Sequence, residues 1–100
     1  MDFEVSFEAR LWRHDGQAAW YFLTLPREVS ARVLAEAEGR MKPGGSVPVS
    51  ASIGRTRWNT SLFRDLGRGA FLLPVKAAVR EKEQLREGDA VEVVLVNGRR

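Results

Sequence analysis

Apolar and polar residues alternate from the start of the chain: Phe3, Val5, Phe7, Ala9 and Leu11 interleave with Glu4, Ser6, Glu8, Arg10 and Trp12. A period of two belongs to an extended strand with one buried face. His14-Asp15-Gly16 is a turn cluster, and residues 18–25 read as a second strand carrying Trp20, Tyr21 and Phe22. The period then changes. After Pro26, which suits the first turn of a helix because its missing N–H has no partner there, Val29, Val33, Leu34 and Ala37 form an apolar stripe. Glu28, Arg32, Glu36 and Arg40 ladder the opposite face at i,i+4 spacing. Gly39 and Lys42-Pro43-Gly44-Gly45 stop the helix. Alternation returns at Val47, Val49, Ala51 and Ile53, with Pro48 predicting an unpaired edge or a bulge.

After a tight turn at Gly54-Arg55 the order of elements repeats. Thr56, Trp58, Thr60 and Leu62 define a fourth strand, residues 65–69 a turn, and Ala70 to Leu73 a fifth strand. Pro74 is expected to open a second helix, with Ala78, Val79 and Leu85 toward the core. Glu87-Gly88-Asp89 turns into a last strand on Val91, Val93 and Leu95, whose other face (Ala90, Val94, Val96) predicts cover on both sides. Leu11–Gly16 aligns with Leu62–Gly67, Leu25-Pro26 with Leu73-Pro74, Arg32 with Arg80, and Val47 and Val49 with Val91 and Val93. Two β-β-α-β units in tandem follow, divided at about residues 1–54 and 55–100 of a single domain. Neither unit is long enough to bury its own sheet, so the expected fold is mainly β: a six-stranded, pseudo-symmetric double-split barrel with two short helices.

Composition narrows the chemistry. The chain has 100 residues, no cysteine and one histidine. Disulfide frameworks, thiolate zinc sites and cysteine nucleophiles are therefore excluded. No apolar run reaches the ~18 residues of a membrane span, and Asp2 and Glu4 stand where a leader would be basic, so a cytoplasmic location away from membranes is expected. The net charge of +3 is unevenly placed: residues 1–50 hold six cations and seven anions, residues 51–100 ten and six. Thirteen of the sixteen cations are Arg, which suits planar anion recognition.

Two resemblances follow from quoted residues. Leu73-Pro74-Val75-Lys76-Ala77-Ala78-Val79-Arg80, with Glu87-Gly88-Asp89-Ala90-Val91-Glu92-Val93 after it, resembles the AbrB/MazE/MraZ swapped-hairpin proteins, which build one barrel from two chains. More closely, and over nearly its whole length, the chain is similar to the small, mostly bacterial DUF1905 family. The likeness lies in Gly16, Ala19-Trp20-Tyr21-Phe22, Leu25-Pro26, Gly45-Ser46-Val47-Pro48-Val49, Trp58-Asn59-Thr60-Ser61-Leu62-Phe63 and the block from Leu73 to Arg80. That resemblance implies the double-split barrel and no particular activity. Arg64 departs from the family pattern, which has Pro after the Phe, and predicts a looser turn.

Catalytic signals are weak. His14 and Asp15 are chain neighbours, which seldom face one another as base and orienting carboxylate. Ser61 has no partner base, and Gly44-Gly45 lacks the Lys-Ser/Thr ending of a phosphate loop. A non-enzymatic domain without metal or cofactor is expected. The second helix is the suggestive place, because Lys76 and Arg80 align with Glu28 and Arg32 of the first copy, trading a helix-start acid for a cation. Lys76, Arg80, Trp58, Thr60, Arg55 and Arg57 are the candidate ligand-binding residues. The expected function is a monomeric binding module for a small anionic ligand or a protein partner. The alternative is a nucleic-acid-binding, AbrB-like regulator or antitoxin-type domain. Trp12, on the polar parity of its strand beside Arg10, would mark an interface if exposed.

Overall fold

The computed structural model describes residues 3–16, 18–37 and 45–97. In chain order its elements are β1 (Glu4–His14), β2 (Trp20–Thr24), α1 (Arg27–Ala37), β3 (Val47–Ile53), β4 (Thr56–Asp65), β5 (Ala70–Pro74), α2 (Ala77–Glu83) and β6 (Ala90–Asn97). All six strands are antiparallel to their neighbours and close in the order β1-β2-β5-β4-β3-β6. The expected stop of the first helix at Gly39 and Lys42-Pro43-Gly44 lies outside the described residues.

The barrel is doubly split because its two long strands change partners. β1 pairs with β6 over residues 4–10 and with β2 over 11–14. β4 likewise pairs with β3 over 56–62 and with β5 over 63–65. Each half therefore hands its last strand to the other half's first, so neither half closes a sheet alone. The inward parity of every strand fills the interior: Val5, Leu11, Leu23, Val49, Ala51, Leu62, Phe71, Leu73, Val93 and Leu95 are all buried. Each fully buried side chain of this size contributes about 1.5–3 kcal/mol of transfer free energy. Pro48 stands one residue outside the β3–β6 pairing, which begins at Val49↔Asn97, as its missing N–H requires.

The register corrects the sequence alignment. β2 and β5 cross with Leu23 directly opposite Leu73, so the two-fold relation maps Leu23 onto Leu73, Tyr21 onto Phe71 and Leu25 onto Val75. Matching hydrogen bonds of 2.9 Å confirm it, Leu25 N–H donating to the Phe71 carbonyl and Val75 N–H to that of Tyr21. Pro74 does not open the second helix. It ends β5 opposite Phe22, Lys76 is the extended N-cap, and the helix begins at Ala77. Lys76 thus corresponds to Pro26 rather than Glu28, and Arg80 to Ser30 rather than Arg32. The repeated Leu-Pro pair misleads because it sits two residues differently in the two halves, while cross-strand packing sets the register.

Two burial expectations also change. Ala78 is exposed on α2, leaving Val79 buried and Leu85 half-buried against the core. The outer face of β6 is not covered, since Val94 is 38% exposed and Ala90 is exposed too. The turn after Arg64 is not loose. Asp65 accepts the Arg68 guanidinium at 2.6 Å and the Arg68 backbone N–H at 3.1 Å. Those bonds, the guanidinium's first, hold the Asp65 carboxyl below its usual range. A depressed carboxyl stabilises the fold above its unfolded value and stops doing so as pH falls through the folded one. Asp65→Asn should therefore lower the urea midpoint at neutral pH, and the difference from wild type should vanish in acid below the usual carboxylate range.

Candidate functional site

Where β5 ends, the sheet opens between β2 and β4. The chain from Pro74 into α2 roofs the gap, leaving a cleft of about 470 Å³. Four of the six candidate residues meet there: Lys76 and Arg80 from the α2 segment, Trp58 and Thr60 from the inward parity of β4. Arg55 and Arg57 do not line it. Arg55 is exposed in the β3–β4 turn, and Arg57 is exposed on the opposite parity of β4 from Trp58. Trp58 is also more buried than a ligand platform would be, at 7% exposed, and belongs to the core that floors the cleft.

Arg80 is positioned by three features. Its Nε donates to the Val75 carbonyl at 3.1 Å, its guanidinium carbon lies 3.8 Å from the centre of the Tyr21 ring, and it starts from a helix face held down by buried Val79. Cation–π stacking on Tyr21 fixes the plane of the guanidinium. Lys76 is exposed at the rim and forms no ion pair among the described residues. Glu83 is not its partner; Thr56 Oγ1 donates to that carboxylate at 2.6 Å, which places Glu83 over the Gly54 turn. Among the described residues no carboxylate lines the cleft, and its two cations set the charge of the interior. α2 has seven residues, too few for its dipole to matter much, and the anionic preference rests on the side chains.

The two-fold counterpart of this place is closed. Ser30 stands where Arg80 does, and its hydroxyl donates to the Leu25 carbonyl at 3.4 Å as Arg80 Nε does to Val75. The same hydroxyl accepts the Phe71 N–H at 3.1 Å. Ser30, Phe71 and Leu25 are all buried, whereas Arg80 and Tyr21 are half-buried around open space. One half of the barrel is sealed by a small hydroxyl and the other is propped open by a guanidinium.

Tyr21, Trp20 and Phe63 line the cleft without having been singled out as site residues. Their signal was their parity: Trp20 and Phe63 alternate with core residues, so on a half-buried sheet they must face outward. Trp12 does not mark an open interface. It is half-buried, donating from Nε1 to Thr24 Oγ1 at 2.9 Å, with the Arg68 guanidinium 4.4 Å over its ring. His14 is exposed at the end of β1, and Asp15 pairs with Arg13 at 3.5 Å rather than with it. No helix among the described residues is long and apolar enough to cross a membrane.

Compared with known families, residues 7–95 match the model of a domain of unknown function, DUF1905. No curated protein matches the chain.

Proposed function

We propose, for a chain that belongs to the DUF1905 family of domains of unknown function, that it is a non-catalytic binding module whose cleft takes a small organic anion. The observation that carries this reading is the broken symmetry at Arg80 and Ser30. A barrel that needed only to be stable would gain by sealing both places alike, since a half-open apolar cleft forfeits packing. Instead the guanidinium holds one place open and brings positive charge to it. Lys76 adds a second, exposed cation at the mouth, and Trp58, Val75 and Pro74 supply an apolar interior. Few charged groups above an apolar floor are the common form of a small-ligand site.

Titration with benzoate, followed by backbone amide shifts, tests it. Shifts should concentrate at residues 19–21, 58–60 and 75–80. Lys76→Gln should weaken binding about three- to fivefold, the worth of one exposed ion pair. Equal affinity for benzoate and neutral benzyl alcohol would contradict the reading.

A further inference from the structure

The cleft continues past its rim. Trp20 and Phe63 also border a shallow hollow of about 310 Å³ on the outer face of the sheet, whose other walls are His14, Phe22 and Leu72. The Trp20 and Phe22 rings stack on one another, within 10° of parallel and 6.0 Å between centres. Trp20 is 51% and Phe63 44% exposed, which is costly for large apolar side chains unless something covers them.

The pseudo-symmetry shows what such cover looks like. β1 meets β2 at Trp12↔Phe22 and β4 meets β5 at Phe63↔Leu72, so Phe63 is the counterpart of Trp12. Trp12 is half-buried, capped by the Arg68 guanidinium and bonded to Thr24, whereas Phe63 is 44% exposed. Trp20 likewise stands where the other half has buried Ala70. Both departures leave the shelf of Trp20 and Phe63 exposed at the edge of the cleft holding Lys76 and Arg80.

We infer that the ligand of the cleft is a flat aromatic carboxylate or phosphate monoester, its anionic head at Lys76 and Arg80 and its ring system lying across Trp20 and Phe63. This rests on the anion-binding reading of the cleft. Charge decides against a second copy of the chain as the cover, because a two-fold contact through the shelf would bring both pairs of cations together. A flat ring is favoured over a flexible chain because the exposed walls, Trp20 and Phe63, are themselves aromatic, and ring–ring contact rewards a rigid partner.

Calorimetric titration of the full chain with benzoate, 2-naphthoate and neutral 2-naphthylmethanol separates the possibilities. The second ring should tighten binding about tenfold. Trp20→Ala, at an exposed position, should reduce the tenfold advantage of 2-naphthoate over benzoate to near unity; Phe63→Ser should act the same way. Equal affinity of the two acids for the wild-type chain, or an increment that survives both substitutions, overturns the inference and leaves the anion site standing. If 2-naphthylmethanol binds as tightly as 2-naphthoate and Lys76→Gln changes neither, the anion reading fails and the inference falls with it. A concentration-dependent dimer that Trp20→Ala disperses, with no gain for the naphthyl acid, overturns it in favour of self-association.

Discussion

Phe71→Ala should cost about 3–5 kcal/mol of folding stability, whereas Tyr21→Ala, its two-fold counterpart, should cost only about 1 kcal/mol. Phe71 is 2% exposed, and its backbone is held from both sides, by the Ser30 hydroxyl and by the Leu25 N–H. Truncating it leaves a cavity that this bonded backbone cannot collapse to fill. Tyr21 is half-buried, and its ring faces the Arg80 guanidinium, so truncation there widens a space that solvent already reaches. For a domain with about 5–15 kcal/mol of total stability, the first substitution approaches the unfolding threshold and the second does not. Urea midpoints of the two variants measure the contrast. Equal losses would mean that both places are packed alike and that the two-fold symmetry is not broken there.

Arg80→Ser copies the sealed half onto the open one. A serine hydroxyl there has a template in Ser30, which reaches the carbonyl five residues back, so the Val75 carbonyl should stay satisfied. Stability should fall by no more than about 1 kcal/mol, the worth of the lost stacking on Tyr21. Anion affinity should fall about 10- to 100-fold, because a half-buried guanidinium bond to a carboxylate is worth about 1.5–3 kcal/mol. The paired measurement, benzoate affinity against thermal midpoint, separates a ligand-binding role from a structural one. A large loss of stability with unchanged affinity would make Arg80 a structural prop.

The strands were legible because a half-buried sheet writes its two faces into alternate residues, and Val47 to Ile53 or Val91 to Leu95 admit little else. The register between the halves was not. Leu25-Pro26 and Leu73-Pro74 look equivalent locally, but the cross-strand contact of Leu23 with Leu73 decides the matter, and no local pattern contains it. The site came through in the same partial way. Copy asymmetry pointed to Lys76 and Arg80, although the partners it compared them with, Glu28 and Arg32, are not the structural ones. Thr60 and Trp58 followed from inward parity. Arg55 and Arg57 rested on nearness in sequence, and strand alternation turns Arg57 away from the very residues beside it. Phe63 and Trp20 needed the topology, since only strand order brings residues 43 positions apart to one shelf.

The exchange of last strands between halves has a consequence for stoichiometry. A barrel assembled from two identical chains must place the same side chain at both two-fold-related positions, either two sealed places or two open ones. Here the Gly54-Arg55 turn joins the halves covalently, and that restriction lapses. Serine at 30 can serve cohesion while arginine at 80 serves recognition, and the molecule should saturate at one equivalent of ligand per barrel, with no second equivalent and no cooperativity between sites.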